Sequence, residues 1–221
     1  IKEINKKGKI PIFVGGTGLY VSILLNGIFK GKRGSPDLRK KLYKEAEKFG
    51  SDYLYKKLKK ADIEAAGKIH SNDIKRVVRA LEVFLTTGKP ISELQKDRQG
   101  LINEYDIKIF CLNMNRAKLY EKIDERVEKM FKQGLTNEVK RLLKKKLSKT
   151  ACFAIGINEL RGYFEGSYDL DEAKRLIKRN TRHYAKSQLT WFRREKRALW
   201  INIKNQETPK KIARRLWKKL C

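Results

Sequence analysis

The stretch Ile10-Pro11-Ile12-Phe13-Val14-Gly15-Gly16-Thr17-Gly18-Leu19-Tyr20 is the most informative part of the chain. An apolar run, β-branched or aromatic at most positions, ends in three glycines around a threonine, and an amphipathic segment begins at Leu19. This pattern predicts a buried parallel-type strand over residues 9–14 and a helix over 19–26. Because glycine has no Cβ, the loop between them can bring amide N–H groups and the Thr17 hydroxyl against a ligand at a sheet edge. The loop is similar to a phosphate-binding loop but lacks the lysine that such a loop requires.

The composition indicates a globular protein without a membrane span. The chain has 221 residues, of which 40% are hydrophobic, which is enough for one sizeable core or for a core with an added lobe. No apolar run approaches the roughly 18 residues of a membrane span, and no leader pattern is present, which predicts a cytoplasmic location. The three cysteines (Cys111, Cys152 and Cys221) are far apart and form no Cys-x-x-Cys pair. They are typical of incidental thiols in a reducing compartment.

A large excess of positive charge indicates a polyanionic partner. The chain has 54 lysines and arginines against 25 acidic residues, for a net charge of +29. Nucleic acid is the most common partner of such a surface, and a solvated lysine-rich surface is the alternative. Residues 174–221 contain 17 lysines and arginines and two acidic residues. This concentration favours a true basic patch.

Alternating strand and helix patterns predict an α/β core that is interrupted by a helical stretch. Gly- and Pro-containing residues 30–36 are the best candidate for a domain boundary. The predicted helices cover 37–49, 51–60, 63–66, 74–87, 116–133 after a cap at Asn115, 137–145 and 171–194. The helix from Ile74 follows a capping cluster, has an apolar stripe that includes Leu85, and ends at Gly88. Further strands are predicted at 105–113 and 198–203, which gives a core over 1–30 and 104–221 and a helical domain over 31–103.

A row of cations on the long C-terminal helix is the clearest binding feature. Its members recur at helical spacing along about 27 Å, which matches the reach of several phosphates; they are Arg175, Arg179, Arg182, Lys186 and Arg193. A solvated helix face is an equally good interpretation. The aromatic residues on this helix are more often core residues than base-stacking residues.

Other charged residues leave their roles open. Lys75, Arg76 and Arg79 lie away from the apolar stripe of their helix, and they can contact a nucleic-acid backbone or solvent. Arg126 is a candidate anion clamp, although a surface pair with a neighbouring glutamate fits its spacing better. The two histidines are 113 residues apart and lack carboxylates at ligand spacing. The sequence therefore predicts no metal site made by the protein, and Asp124 is interpreted as a helix-surface residue.

Five blocks in fixed order resemble the tRNA dimethylallyltransferase family. They are Gly-Gly-Thr-Gly at 15–18, Asn-Asp-Ile-Lys-Arg-Val-Val-Arg-Ala-Leu-Glu-Val at 72–83, Ile-Asp-x-Arg-Val-x-x-Met at 123–130, Ala-Ile-Gly at 154–156 and Gln-Leu-Thr-Trp-Phe-Arg at 188–193. The resemblance implies a P-loop NTPase-like parallel-sheet core, incomplete here, with a helical insertion domain. It also implies transfer of a dimethylallyl group from dimethylallyl diphosphate, with Mg²⁺, to N6 of the adenine 3′ of the tRNA anticodon (position 37). A monomer is expected.

The resemblance also implies roles for individual residues. Thr17 contacts the target adenine after the base has left its stack, and Arg126 and Arg182 contact the pyrophosphate as its charge develops. The residues expected to bind the anticodon stem-loop are Thr17, Arg39, Lys75, Arg76, Val77, Val78, Arg79, Phe153, Ala154, Ile155, Gly156, Ile157, Asn158 and Lys186.

The chain departs from the family pattern in several places, of which two bear on the site. The family's phosphate loop and its general-base aspartate lie upstream of the glycine block, and this sequence, which starts with Ile, contains neither. Ile157 and Asn158 stand where the family commonly has tyrosine and lysine. The sequence thus predicts a fragment that binds tRNA without turnover. The alternatives are an enzyme that prenylates free adenine nucleotides, which the cations of the helical domain disfavour, and a non-catalytic RNA-binding module.

Overall fold

The computed structural model describes residues 1–29, 34–205 and 207–220, so most of the predicted connector lies outside the described residues. The chain divides into two compact units. One contains Ile1–Gly18 and Lys108–Cys221, and the other contains Leu19–Ile107. The domain limits proposed from the sequence, near residues 30 and 103, differ from the limits of these units and stay a prediction.

Within the described ranges the secondary structure is mostly helical. In chain order the elements are α1 (Lys2–Lys6), α2 (Gly18–Asn26), α3 (Pro36–Phe49), α4 (Ser51–Ala61), α5 (Ile63–Lys68), α6 (Ile74–Thr87), α7 (Ile91–Lys96), a 3₁₀ turn (Leu101–Asn103), β1 (Ile109–Asn113), α8 (Arg116–Lys132), α9 (Leu135–Leu143), α10 (Lys149–Cys152), α11 (Ile157–Phe164), α12 (Leu170–Phe192), β2 (Ala198–Asn202) and α13 (Pro209–Trp217). The long predicted helices are confirmed. The short α1, α7, α10, α11 and α13 were not predicted. No described helix is long and apolar enough to cross a membrane.

The helical unit is organised around α3, α4 and α6. Their apolar stripes form one buried cluster that includes Leu42, Leu54, Leu58, Val78 and Leu81. The helix ends carry the caps that the sequence indicated. Asp73 accepts a hydrogen bond from the Arg76 N–H at the start of α6, and Gly88 closes the helix in the left-handed conformation. The prediction that Leu85 faces the core is wrong, because the last turn of α6 emerges from the cluster and exposes it.

The other unit contains a two-stranded parallel sheet and a second core. The strands β1 and β2 pair from Ile109 opposite Ala198 to Asn113 opposite Asn202, as expected for the strands predicted at 105–113 and 198–203. Helices α8, α9, α11 and α12 pack around a cluster of Val127, Val139, Leu160, Ala173 and Ile177. Burial raises the pKa of the Cys111 thiol on β1, which favours an unreactive thiol. Cys221 lies outside the described residues.

The predicted strand over residues 9–14 is wrong for this structure. None of these residues is in a strand, and the Val14 side chain is 95% exposed. A strand needs a neighbouring backbone to take its N–H and C=O groups. Among the described residues, only β1 and β2 form such a pair, so the apolar residues Ile12, Phe13 and Val14 remain at the surface.

Candidate functional site

The glycine loop at residues 15–18 is held against helix α12. The amide of Gln188 donates a hydrogen bond of 3.0 Å to the Gly16 carbonyl. A Cβ on Gly16 would overlap the Gln188 side chain, and a Cβ on Gly18 would overlap the indole of Trp191. Thr17 lies between these two glycines and is exposed. The glycines therefore allow close packing on α12, and that packing leaves the Thr17 hydroxyl free for a ligand.

A cationic groove runs along the same helix. It has a volume of about 530 Å³ and is lined by His183, Lys186, Ser187, Thr190, Trp191 and Arg194. Trp191 also contacts the glycine loop, so the groove and the Thr17 loop adjoin. Lys186, a predicted RNA-binding residue, is exposed in the groove. Phosphate or sugar hydroxyl groups fit this lining of two long cations, an imidazole, two hydroxyls and an indole.

Arg182 is held in place by a carboxylate from α8. Its Nε donates to Asp124 Oδ1 at 3.0 Å, and its Nη2 donates to the other carboxylate oxygen. The guanidinium carbon lies 5.3 Å from the centre of the Tyr120 ring. Arg116 lies over the same ring at 5.2 Å and donates to the Tyr120 hydroxyl. Asp124 is thus a fixed partner of Arg182, and the interpretation of it as a plain surface residue is wrong.

The arrangement leaves Arg182 able to bind an anion. A guanidinium has five N–H donors, and the Asp124 carboxylate takes two of them. The two hydrogen bonds to Asp124 fix the plane of the group beside the Tyr120 ring, which suits bidentate binding of a phosphate.

Arg126 is placed apart from this cluster. It follows Asp124 by two residues on α8, which is about 200° around the helix axis, and it is exposed. The structure therefore does not bring Arg126 to the Arg182 side of α8. Their shared role at the pyrophosphate stays a prediction.

The predicted cationic row on α12 is only partly free. Arg175 pairs with Glu172 at 2.6 Å, and the neighbouring Lys178 pairs with Glu128 at 2.5 Å. Together with the Arg182–Asp124 pair, these ion pairs neutralise some of the cations along this part of α12. The exposed members of the row beyond Arg175 are Arg179, Lys186 and Arg193.

The segment 153–158 presents apolar side chains on a firmly anchored turn. Phe153 is 80% exposed, and Ala154, Ile155 and Asn158 are also exposed. Gly156 is buried with φ +100°, a conformation that favours glycine. Ile157 packs on the second core.

Glu159 is the anchor of this turn, and sequence reasoning missed it. This buried carboxylate accepts hydrogen bonds from the Gly156 N–H at 2.7 Å and from the Asn180 amide at 2.6 Å. The first bond is half of a capping box, so Gly-x-x-Glu at 156–159 was the available signal. Asn180 couples the turn to α12.

In the helical unit, Arg39 and Arg79 share one buried carboxylate. Glu82 is fully buried, and its Oε2 accepts hydrogen bonds from Arg39 at 2.9 Å and from Arg79 at 2.7 Å. Burial alone would raise the pKa of Glu82, but the two arginines outweigh it, and the pKa lies below its usual value. The two predicted RNA-binding arginines are therefore oriented side by side.

The start of α6 presents a second pair of cations. Lys75 and Arg76 are exposed, and Arg76 pairs with Asp73 at 3.2 Å. Val77 and Val78 are buried in the core of the helical unit. Their side chains pack the helix whose surface Lys75 and Arg76 occupy, and the expectation that Val77 and Val78 bind RNA stays a prediction.

The described residues contain no group of three or more acidic, histidine or cysteine side chains that could hold a metal ion. These described residues therefore do not form a magnesium site by themselves. Mg²⁺ commonly binds through substrate phosphates with one or two carboxylates.

Comparison with known proteins defines the class. A model of the IPP transferase family matches residues 1–195, and the chain belongs to this family. Similar proteins include the tRNA dimethylallyltransferase of Thermosipho melanesiensis, 51% identical over 215 residues, and that of Thermotoga maritima, 46% identical over 205 residues. The matches cover 96% and 92% of this chain and 70% and 66% of those relatives. The chain thus spans about two thirds of their length.

Solved structures agree with the predicted fold class. The full-length tRNA isopentenylpyrophosphate transferase of Bacillus halodurans is similar with a TM-score of 0.63 and 35% identity, over 99% of this chain and 68% of that one. A eukaryotic dimethylallyltransferase acting on tRNA is similar with a TM-score of 0.69 and 28% identity, over 91% of this chain and 53% of that one. The α/β fold with a helical domain is confirmed.

Proposed function

We propose that this chain acts in tRNA modification, in the transfer of a dimethylallyl group from dimethylallyl diphosphate to N6 of the adenine 3′ of the anticodon. The observation that carries this proposal is the exposed Thr17, held beside the cationic groove of α12 by Gln188. A hydroxyl between two packed glycines can orient one base edge, and the neighbouring cations can hold phosphates. The names of the relatives support the same activity.

The reaction assigns separate tasks to the parts of the site. The adenine N6 forms a bond to the allylic carbon while the bond from that carbon to the diphosphate oxygen breaks, and pyrophosphate leaves with the electron pair. Arg182, which Asp124 holds through two hydrogen bonds beside the Tyr120 ring, is suited to stabilise the charge that develops on the pyrophosphate. Mg²⁺ on the diphosphate would stabilise the same charge. A carboxylate must take the N6 proton, and the family resemblance assigns that group and the phosphate loop to a segment before the glycine block.

RNA binding uses the exposed cations and the anchored turn. Lys75 and Arg76, together with the Arg39–Glu82–Arg79 group, form a basic surface on the helical unit. Phe153 and Ile155 offer an exposed apolar surface on which an unstacked base can lie. A free nucleotide would use few of these groups, which favours tRNA as the acceptor.

The experiment is a comparison of acceptors and of chain length. The purified 221-residue chain is tested for binding to an anticodon stem-loop in gel shifts. Prenyl transfer to the stem-loop and to AMP is then measured with labelled dimethylallyl diphosphate. We expect stem-loop binding as a monomer, no turnover by this chain, and transfer to the stem-loop by a longer form that includes the upstream segment. Transfer to AMP in preference to the stem-loop, or turnover by the 221-residue chain, would contradict the respective parts of the proposal.

A further inference from the structure

Helix α13 (Pro209–Trp217) is a basic element that the proposed site does not use. It lies beyond residue 195, where the match to the family model ends. Residues 208–220 contain six lysines and arginines and no acidic residue. None of the helix residues is fully buried. The proposed function therefore leaves this surface without a role.

The exposed face of α13 combines cations with an aromatic side chain. Lys210, Arg214 and Trp217 are spaced by four and three residues, so they share one face of the helix. All three are exposed, and Trp217 is 57% exposed. Lys211 and Lys218 flank this face and are exposed too. We name these five residues the α13 face; its cations extend over about 12 Å of helix.

Arg215, which lies beside Lys211 and Lys218 around the helix, fixes α13 to the end of β2. Arg215 donates to both carboxylate oxygens of Glu207, at 2.9 and 2.8 Å, and to the Asn202 carbonyl at 3.1 Å. Hydrogen bonds from the Lys204 N–H and from Arg215 hold the pKa of Glu207 below its usual value. The Thr208 hydroxyl caps the helix start, and Pro209 occupies the first turn. The α13 face is thus held at a set position on its unit.

We propose that the α13 face binds the sugar–phosphate backbone of RNA, with Trp217 stacked on a base or ribose. This inference rests on the proposed function for the identity of the RNA. The four cations of the α13 face have no acidic residue among them, which favours binding of phosphate. An exposed indole among cations is a common platform for unstacked nucleotides. A membrane surface fits less well, because such a helix inserts a broad apolar face. In α13 the apolar residues Ile212 and Leu216 are half-buried, which leaves Trp217 as the single large apolar side chain of the exposed side.

The first test measures tRNA affinity against salt concentration for two variants with equal charge. One variant is Lys210→Gln, Lys211→Gln, Arg214→Gln and Lys218→Gln. The control removes four exposed lysines from one face of α8, as Lys118→Gln, Lys122→Gln, Lys129→Gln and Lys132→Gln. We expect the α13 variant to bind a tRNA transcript about tenfold more weakly and to lower the slope of log affinity against log salt by about two. We expect the control to change affinity by less than about threefold. Equal losses in both variants, or no loss in the first, would overturn the proposal.

The second test follows Trp217 itself. Binding of tRNA should quench the fluorescence of Trp217 and of Trp191 in the α12 groove, so Trp217→Phe should lower the quenching relative to the unmodified chain while circular dichroism stays unchanged. Quenching of unchanged size in the variant would show that the α13 face does not contact RNA. Binding to phosphatidylserine vesicles that the four α13 substitutions abolish, with tRNA affinity intact, would assign the face to membranes. Absence of tRNA binding by the unmodified chain would instead refute the proposed function itself.

Discussion

Replacement of Glu82 by glutamine tests the buried carboxylate that holds Arg39 and Arg79. The change keeps the size of the side chain but removes the charge that both guanidiniums share. Charge-assisted hydrogen bonds contribute about 1.5–3 kcal/mol each. Because the arginine side chains are 47% and 41% exposed, they regain water when the bonds are lost, and a glutamine oxygen can retain one donor. We therefore expect Glu82→Gln to lower the free energy of unfolding by about 1.5–3 kcal/mol.

The control is Glu45→Gln in the same unit. Glu45 pairs with Lys57 at 2.7 Å, but this pair is at the surface, where such pairs contribute about 0–1 kcal/mol. Urea denaturation followed by circular dichroism measures both variants. A loss in Glu82→Gln no larger than the loss in Glu45→Gln would refute the role of Glu82 as a buried anchor.

The pH dependence of the same variant gives a second readout. The pKa of Glu82 is lowered on folding, so its contribution to stability is present above its unfolded pKa, about 4.3, and is lost as the pH falls through the lower folded pKa. The stability difference between the unmodified chain and Glu82→Gln should therefore be constant at neutral pH and should shrink below about pH 4.

Binding of RNA distinguishes positioning from simple charge. The substitution makes the chain more positive, which by Coulomb attraction alone would strengthen binding to RNA. If Glu82 orients two RNA-binding arginines, affinity should instead fall by about threefold. Stronger binding by a folded Glu82→Gln variant would refute the positioning role.

Three further predictions concern the glycine loop and the basic surface of α6. In a form of the protein that turns over, Thr17→Ala should lower prenyl transfer by about 10–100-fold while tRNA affinity changes by less than about threefold. Thr17→Ser is the control. Equal losses of transfer and affinity in Thr17→Ala would rule out the orienting role. Gly18→Ala should displace Trp191, because a Cβ there overlaps the indole. The variant should show a changed Trp191 fluorescence emission and lower prenyl transfer with little loss of tRNA affinity. An active variant with unaltered emission would contradict the packing. Arg76→Ala should weaken tRNA binding and reduce its salt slope by about one, and an unchanged slope would show that Arg76 makes no phosphate contact.

Local signals predicted the helices well. The cap at Asp73, the apolar stripe before Gly88 and the start of α8 at Asn115 each lie within one helix, so nearby residues determine them. Both strands of the sheet were predicted as well. Their register was not, because the pairing joins residues 89 apart, such as Asn113 and Asn202.

The residues that organise the candidate sites were mostly missed. Glu82, Asp124 and Glu159 are acidic residues on or beside helices, where surface positions are the usual expectation. Their partners Arg39, Arg182 and Asn180 are 43, 58 and 21 residues away, and spacing along one helix cannot reveal such contacts. The strand expected at 9–14 failed for a related reason, because hydrophobicity predicts a strand but only a paired neighbour forms one.

The central claim is tested most directly in tRNA from cells. A bacterial strain that lacks its own tRNA dimethylallyltransferase would receive a gene for the longer form, which includes the segment upstream of the glycine block. Its tRNA would then be digested and examined by mass spectrometry. We predict that the adenine 3′ of the anticodon gains the mass of one C5H8 unit, and that Thr17→Ala strongly reduces this product. Unmodified adenine in the presence of stable protein, or the added mass on free adenine nucleotides alone, would contradict the account.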